Sequence, residues 1–284
     1  MSPPERDAAP PAARMSRLAV GDLEVLAFCD GTGSFFESRS TAFPAATPES
    51  WRAADELDPG SVDRDGAWQL RFRMFGLRLP DGRVMLVDAG IGPADSPARS
   101  WTPVPGALPQ LLAAAGVSRS SVDTVILTHL HSDHVGWAVV DGEPYFPAAQ
   151  YVLQRSEYDA VRGPVPGAWN GFLDALSGPG QLRLVDGQTP ITPQVTVIPT
   201  PGHTPGHQSV VIGSGRTELI CTGDVLVHAV QLVDPSVGYA YEYDQAMARE
   251  TRQHLLAGAA ARGAVLGTAH LGESFTMSIA SIAG

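Results

Sequence analysis

The apolar pattern becomes regular at Leu18, where LAV (18–20) and LEVLAF (23–28) predict two strands broken at Gly21-Asp22. Residues 30–66 mix Gly, Ser, Pro and acids with isolated aromatics, and only Pro48–Leu57 carries a helical period. A segment of that length is either a linker or a functional flap. WQLRFRMFGLRL and VMLVDAG then predict two strands around the turn Pro80-Asp81-Gly82. A helix is expected from about Gly106 to Ala115, and an apolar strand over DTVILT (123–128). Further strands fall in AQYVLQ, LRLVD, VTVIP, SVVIG, ELICTG and AVLGT, with helices over Ser156–Val161, Trp169–Leu176 and Tyr243–Ala261. No fixed short period recurs. Two groups of strands with helices between them predict an α/β layered fold, two sheets covered by helices.

Composition narrows the function classes. The chain has 284 residues, 44% of them apolar and 17% charged, which is ample for a core. The expected organisation is a flexible tail over 1–15 and a single domain over 16–284, with 30–66 as a flap or rim. A net charge of −11 argues against wrapping nucleic acid phosphates. No run of 18 apolar residues appears, so no membrane span is expected. MSPPERDAAPPAAR has no apolar stretch of the kind a secretory leader needs. All 19 basic residues are Arg, which excludes Schiff-base lysine chemistry and a P-loop lysine. Two cysteines, Cys29 and Cys221, cannot build a disulfide scaffold, and a reducing cytoplasm is the simplest setting.

The histidines carry the chemistry. Three of the eight lie in His129-Leu130-His131-Ser132-Asp133-His134, directly after an apolar strand. On a helix they would point around most of its circumference, whereas on a loop at a strand end they can converge on a small volume. Neutral imidazole and carboxylate are ligands that Zn²⁺, Fe²⁺ and Mn²⁺ accept. His203 follows VTVIPT within Pro201-Gly202-His203-Thr204-Pro205-Gly206-His207, a stiff turn able to aim an imidazole. Asp224 follows ELICTG and His270 follows AVLGT. Four strand ends thus offer a His or Asp to one common point.

This ordered set resembles the metallo-β-lactamase-fold hydrolase superfamily over about residues 16–275. The resemblance implies an αββα four-layer sandwich holding two divalent metal ions, Zn first, with Fe or Mn as the other options. By motif position, one ion takes His129, His131 and His203, the other takes Asp133, His134 and His270, and Asp224 bridges them. Asp88 matches the early Asp-x-Gly turn and is implied to brace the metal-bearing loop. The β-lactamases themselves usually carry Cys where Asp224 stands, and Cys221 is three residues early. PGHTPGH, Val225-Leu226 and Trp137 are similar to the group of N-acyl homoserine lactonases and methyl-parathion-type hydrolases. Those lactonases often place a Tyr three residues after the bridging Asp, where this chain has Val227 and then His228.

The resemblance implies a dinuclear hydrolase in which a shared hydroxide attacks a lactone, carboxylic ester, thioester or phosphoester, with Asp133 as the catalytic proton acceptor. His228, Trp137, Phe35 and Phe36 are the candidate substrate contacts. The alternatives are a metal-dependent biosynthetic enzyme (cyclase, dehydratase or oxidoreductase) and a scaffold protein on the same fold. The expected partner is a small-molecule substrate. The oligomeric state stays open, with a homodimer among the options.

Overall fold

The computed structural model describes residues 15–79, 81–162, 168–214, 217–272 and 275–278. The tail expected over 1–15 lies outside them except for Met15, which opens the first strand. Strands β1 (Met15–Val20) and β2 (Leu23–Ser34) pair antiparallel, and β2 pairs in turn with β3 (Gln69–Arg78). Next come β4 (Val84–Val87), β5 (Val122–Ile126), the short ladder β6 (Val139–Val140) with β7 (Glu143–Pro144), then β8 (Gln150–Gln154) and β9 (Leu182–Val185). One seven-stranded sheet runs β1-β2-β3-β4-β5-β8-β9. The second, six-stranded, consists of β10 (Thr189–Thr192), β11 (Val195–Pro199), β12 (Gln208–Ser214), β13 (Thr217–Cys221), β14 (Val265–Gly267) and β15 (Thr276–Ser278), in that order.

Period-two alternation explains the layering. In β2, Val25 and Ala27 join Phe75, Val210, Ile212 and Leu219 in a core between the two sheets. Leu26 and Phe28 point the other way and pack with Leu108, Leu112 and Leu173 of covering helices. On the outer face of the second sheet, Ile220 and Leu266 pack with Leu255 and Ala259 of the helix Gln245–Arg262. The result is the expected αββα four-layer sandwich. That last helix starts where the Asp244 carboxylate accepts from the Ala246 and Met247 amides. It stops at Gly263, whose φ of 64° suits a residue without Cβ.

The segment 30–66 is no loose linker. Its helix spans Pro48–Leu57, with Thr47 and Ser50 forming a capping box and Pro48 in the first turn. Phe43 and Ala54 are buried, and Phe43 packs against Trp68 and Tyr239 with ring centroids 5.4 and 5.2 Å apart. The strands absent from the sequence reading, β6, β7, β10 and β15, have two to four residues each, too short for alternation to register. Among the described residues no helix is long and apolar enough to cross a membrane.

Candidate metal centre

The seven His and Asp positions converge at one edge of the sandwich. His129 follows β5, and Ser132–Val135 forms one helical turn with His131 at its N-cap position. This corrects the all-loop expectation for the cluster: only His129 and His131 precede the turn, while Asp133 and His134 ride on it. His203 lies in the connection between β11 and β12, Asp224 follows β13, and His270 follows β14. One ligand atom from each of His129, His131, His203 and Asp224 falls within 4.8 Å of the others, and the same holds for Asp133, His134 and His270.

Asp224 stands between the two groups. Its Oδ1 is 3.2 Å from His134 Nε2 and 3.1 Å from His270 Nε2. Its Oδ2 is 3.3 Å from His203 Nε2 and 3.9 Å from His129 Nε2. Each carboxylate oxygen therefore faces one group. Asp133 Oδ2 lies 3.5 Å from both His134 Nε2 and His270 Nε2.

Hydrogen bonds behind the rings decide which nitrogens face inward. His134 Nδ1 donates to Asp88 Oδ2 at 2.8 Å. Asp88 also accepts from the Thr128 amide at 2.8 Å and the Thr128 hydroxyl at 2.9 Å, and its φ of 65° is rare for a residue with a side chain. Because the Thr128 proton goes to Asp88, His129 Nδ1 must donate to Thr128 Oγ1, 3.0 Å away. His270 Nδ1 donates to the Arg71 carbonyl at 2.7 Å. With Nδ1 committed outward, all three rings face the centre with Nε2, the nitrogen a metal would take. Arg73 holds the backbone after His270 by donating to the Leu271 and Gly272 carbonyls.

The site fits cations on its own evidence. His129 Nε2, His134 Nε2 and Asp224 Oδ1 are buried polar atoms without a hydrogen-bond partner, which native interiors rarely tolerate. Burial holds the His129 and His203 imidazoles well below their ordinary pKa. Burial works in the same direction on His134, yet the carboxylates of Asp224, Asp133 and Asp88 raise it well above the usual range. Burial would raise Asp224, but the His270 and His134 imidazoles draw it well below the usual carboxylate range. Two imidazoles held neutral by burial and one held protonated between ionised carboxylates make a set of donors in which a divalent cation would take the place of the protons.

A cavity of about 300 Å³ opens on the cluster and is lined by His131, Asp133, His203, Asp224 and His270. Phe35 and Phe36 line it, as do Trp101, Trp169, Tyr239 and Tyr241, which the sequence reading had not singled out. Tyr239 lies nearly parallel to His203, 18° between planes with centroids 6.0 Å apart. Two expected substrate contacts are placed elsewhere. Trp137 is buried, donates its indole N–H to Asp30 Oδ2 at 3.2 Å and packs on Tyr145. His228 is buried behind the wall, boxed by Phe43, Trp51 and Trp68 at centroid distances of 5.4, 5.3 and 5.6 Å. Its place beside Val227 is enough to explain why: Val227 lines the cavity and the next side chain turns the other way.

Glu157 was also missed. It is 1% exposed and accepts from the Leu130 amide at 3.0 Å and the Gly206 amide at 2.9 Å, so one carboxylate ties the His129–His134 stretch to the His203 turn. Nothing in the sequence around it marks that role.

Comparison with known proteins gives a consistent picture. Residues 77–257 match the Metallo-beta-lactamase superfamily. An N-acyl homoserine lactonase of Bacillus cereus is 29% identical over 110 residues, which cover 39% of this chain and 40% of that protein. The N-acyl homoserine lactonase AttM of Rhizobium radiobacter is 33% identical over 109 residues, covering 36% of this chain and 40% of AttM. The matched stretch thus spans about two fifths of these relatives' length. Among solved structures, the hydrolase AbOPH of the beta lactamase superfamily superposes with a TM-score of 0.78 at 24% identity, covering 94% of this chain and 93% of that one. AidC, a dizinc quorum-quenching lactonase, superposes with a TM-score of 0.75 at 22% identity, covering 92% of each chain.

Proposed function

Because the chain belongs to the metallo-beta-lactamase superfamily, we propose that it is a dinuclear metal-dependent hydrolase of small ester-like substrates, lactones first among them. The observation that carries this reading is the division of Asp224, with one oxygen toward His134 and His270 and the other toward His203 and His129. The lactonase names of the curated relatives support the choice of bond.

His129, His131 and His203 would hold one ion, Asp133, His134 and His270 the other, and Asp224 both. Two divalent ions bound there would make a water acidic enough to lose a proton near neutral pH and would polarise the electrophilic oxygen, with Zn²⁺ the first choice for this donor set. Asp133 faces both the cavity and the second group, so its carboxylate accepts the proton of the attacking water and returns it to the leaving oxygen. Phe35, Trp101 and Tyr239 exclude bulk water and press an apolar substrate against the His and Asp side chains.

The test is metal content followed by a substrate panel. Zinc- and manganese-loaded protein is assayed against γ-lactones of increasing acyl length, an aryl ester, a thioester and a phosphotriester. The expected result is close to two ions per chain, with kcat/KM greatest on a lactone or ester. Fewer than one ion per chain, or rates no higher than those of His131→Ala on every substrate, would sink the reading.

A further inference from the structure

His207 lies among the metal-facing histidines, its ring centroid 5.1 Å from that of His129 and 6.0 Å from that of His203, yet it belongs to neither ligand group. Its surroundings explain why. It is fully buried, as are Ser209 and Thr222, and Thr200 is 4% exposed. The Ser209 hydroxyl donates to the Thr222 carbonyl at 3.0 Å. A hydroxyl has one proton, so Ser209 Oγ must accept from Thr200 Oγ1, also 3.0 Å away. Thr200 has then given away its own proton and must accept from His207 Nδ1 at 2.8 Å. At the other end of the chain the Asp224 amide, which can only donate, lies 3.0 Å from His207 Nε2. The carbonyl at one terminus and the amide at the other impose the same tautomer, with the proton on Nδ1 and the lone pair on Nε2.

We propose that His207, Thr200 and Ser209 form a proton-ordered relay that positions the Asp224 peptide and thereby the division of its carboxylate between the two ligand groups. The lone pair of His207 is committed to Asp224 N–H, which keeps the ring out of metal coordination. The turn is built around that bond. Gly223 has a φ of 53°, and a Cβ there would come within 2.6 Å of His207 Nε2. The peptide can therefore meet the ring only through a glycine in a left-handed conformation. His207 is a positioning residue, acting through Asp224. The inference rests on the reading of Asp224 as the ligand shared by both ions.

Long-range ¹H–¹⁵N correlation spectra of the ring nitrogens in the full chain, metal-free and zinc-loaded, give the tautomer directly. The expected spectrum shows His207 protonated at Nδ1 and bare at Nε2 in both forms. Thr200→Val keeps the shape and removes the acceptor. It should weaken zinc binding by about 10- to 100-fold in chelator competition, and Thr200→Ser should restore it. A His207 ring protonated at Nε2 in the unsubstituted protein overturns the relay, and so does Thr200→Val with unchanged zinc affinity. If Thr200→Val does not fold, the spectrum of the unsubstituted chain decides alone. Failure of that chain to bind zinc at all would overturn the metal reading and the relay's role with it. The metal-free spectrum separates that outcome from a wrong tautomer.

Discussion

On the metal-facing side of the cavity, His129, His134 and His270 each commit Nδ1 to a hydrogen bond with Thr128, Asp88 or the Arg71 carbonyl. Across from them, Phe35, Trp101, Tyr239 and Tyr241 meet through ring contacts at 5.3 to 6.5 Å, with no directed bond between the rings. Hydrogen bonds fix atoms to tenths of an ångström, whereas aromatic faces tolerate sliding and exchange. The first side can set chemistry and the second can set what fits. Substitutions on the two sides should accordingly fail in different ways.

The largest effect is expected on the metal-facing side. Asp224→Ala and His131→Ala should each abolish loading of the full metal complement and lower kcat/KM by orders of magnitude, read by plasma emission and steady-state kinetics. Glu157→Ala comes next, because it orphans the Leu130 and Gly206 amides. Each buried donor left unsatisfied costs about 1–3 kcal/mol, so a clear fall in Tm should accompany weaker metal retention. An unchanged Tm would show that Glu157 does not brace the two stretches.

The aromatic wall should give a different signature. Phe35→Ala removes a ring that touches Trp68 and Tyr239 and lines the cavity. KM should rise by about tenfold, the scale of about 1–3 kcal/mol in pocket contacts, with metal content intact. Loss of metal in this variant would break the division between the two sides.

His228 sharpens the comparison through pH. Burial, helped by the Arg39 charge, pushes its imidazole down from 6.5 to about 3. The unfolded chain therefore takes up the proton first as acid is added, and stability drains away as the pH falls from about 6.5 toward 3. Above 6.5 the ring is neutral in both states and contributes no slope. Urea midpoints across that range should fall less steeply in His228→Phe, and equal slopes would contradict the assignment. The smallest effect is expected at exposed His254, where His254→Ala should stay within about 0.5 kcal/mol and leave activity unchanged.

Much of this was legible without coordinates. The strand ends at 129, 203, 224 and 270 follow from apolar runs broken by His or Asp, and the helix Pro48–Leu57 from its period. Trp137 and His228 show where that reasoning stops. Trp137 follows the His129–His134 motif and His228 stands beside the position where the lactonases often carry a Tyr, yet neighbouring side chains leave a loop in different directions, and both rings point into packing. Glu157 escaped notice for the opposite reason: it sits 27 and 49 residues from the amides it joins.

The order of residues alone determined which elements form and which donor atoms stand at their ends, because hydrophobic period and turn chemistry act over a few residues. Only the folded chain decided that Asp224 turns an oxygen to each side, that Glu157 joins two distant stretches, and that Tyr239 rather than His228 faces the cavity. Those outcomes depend on hydrogen bonds and ring contacts between segments far apart in the chain, whose directions are set when the two sheets and their covering helices close on one another.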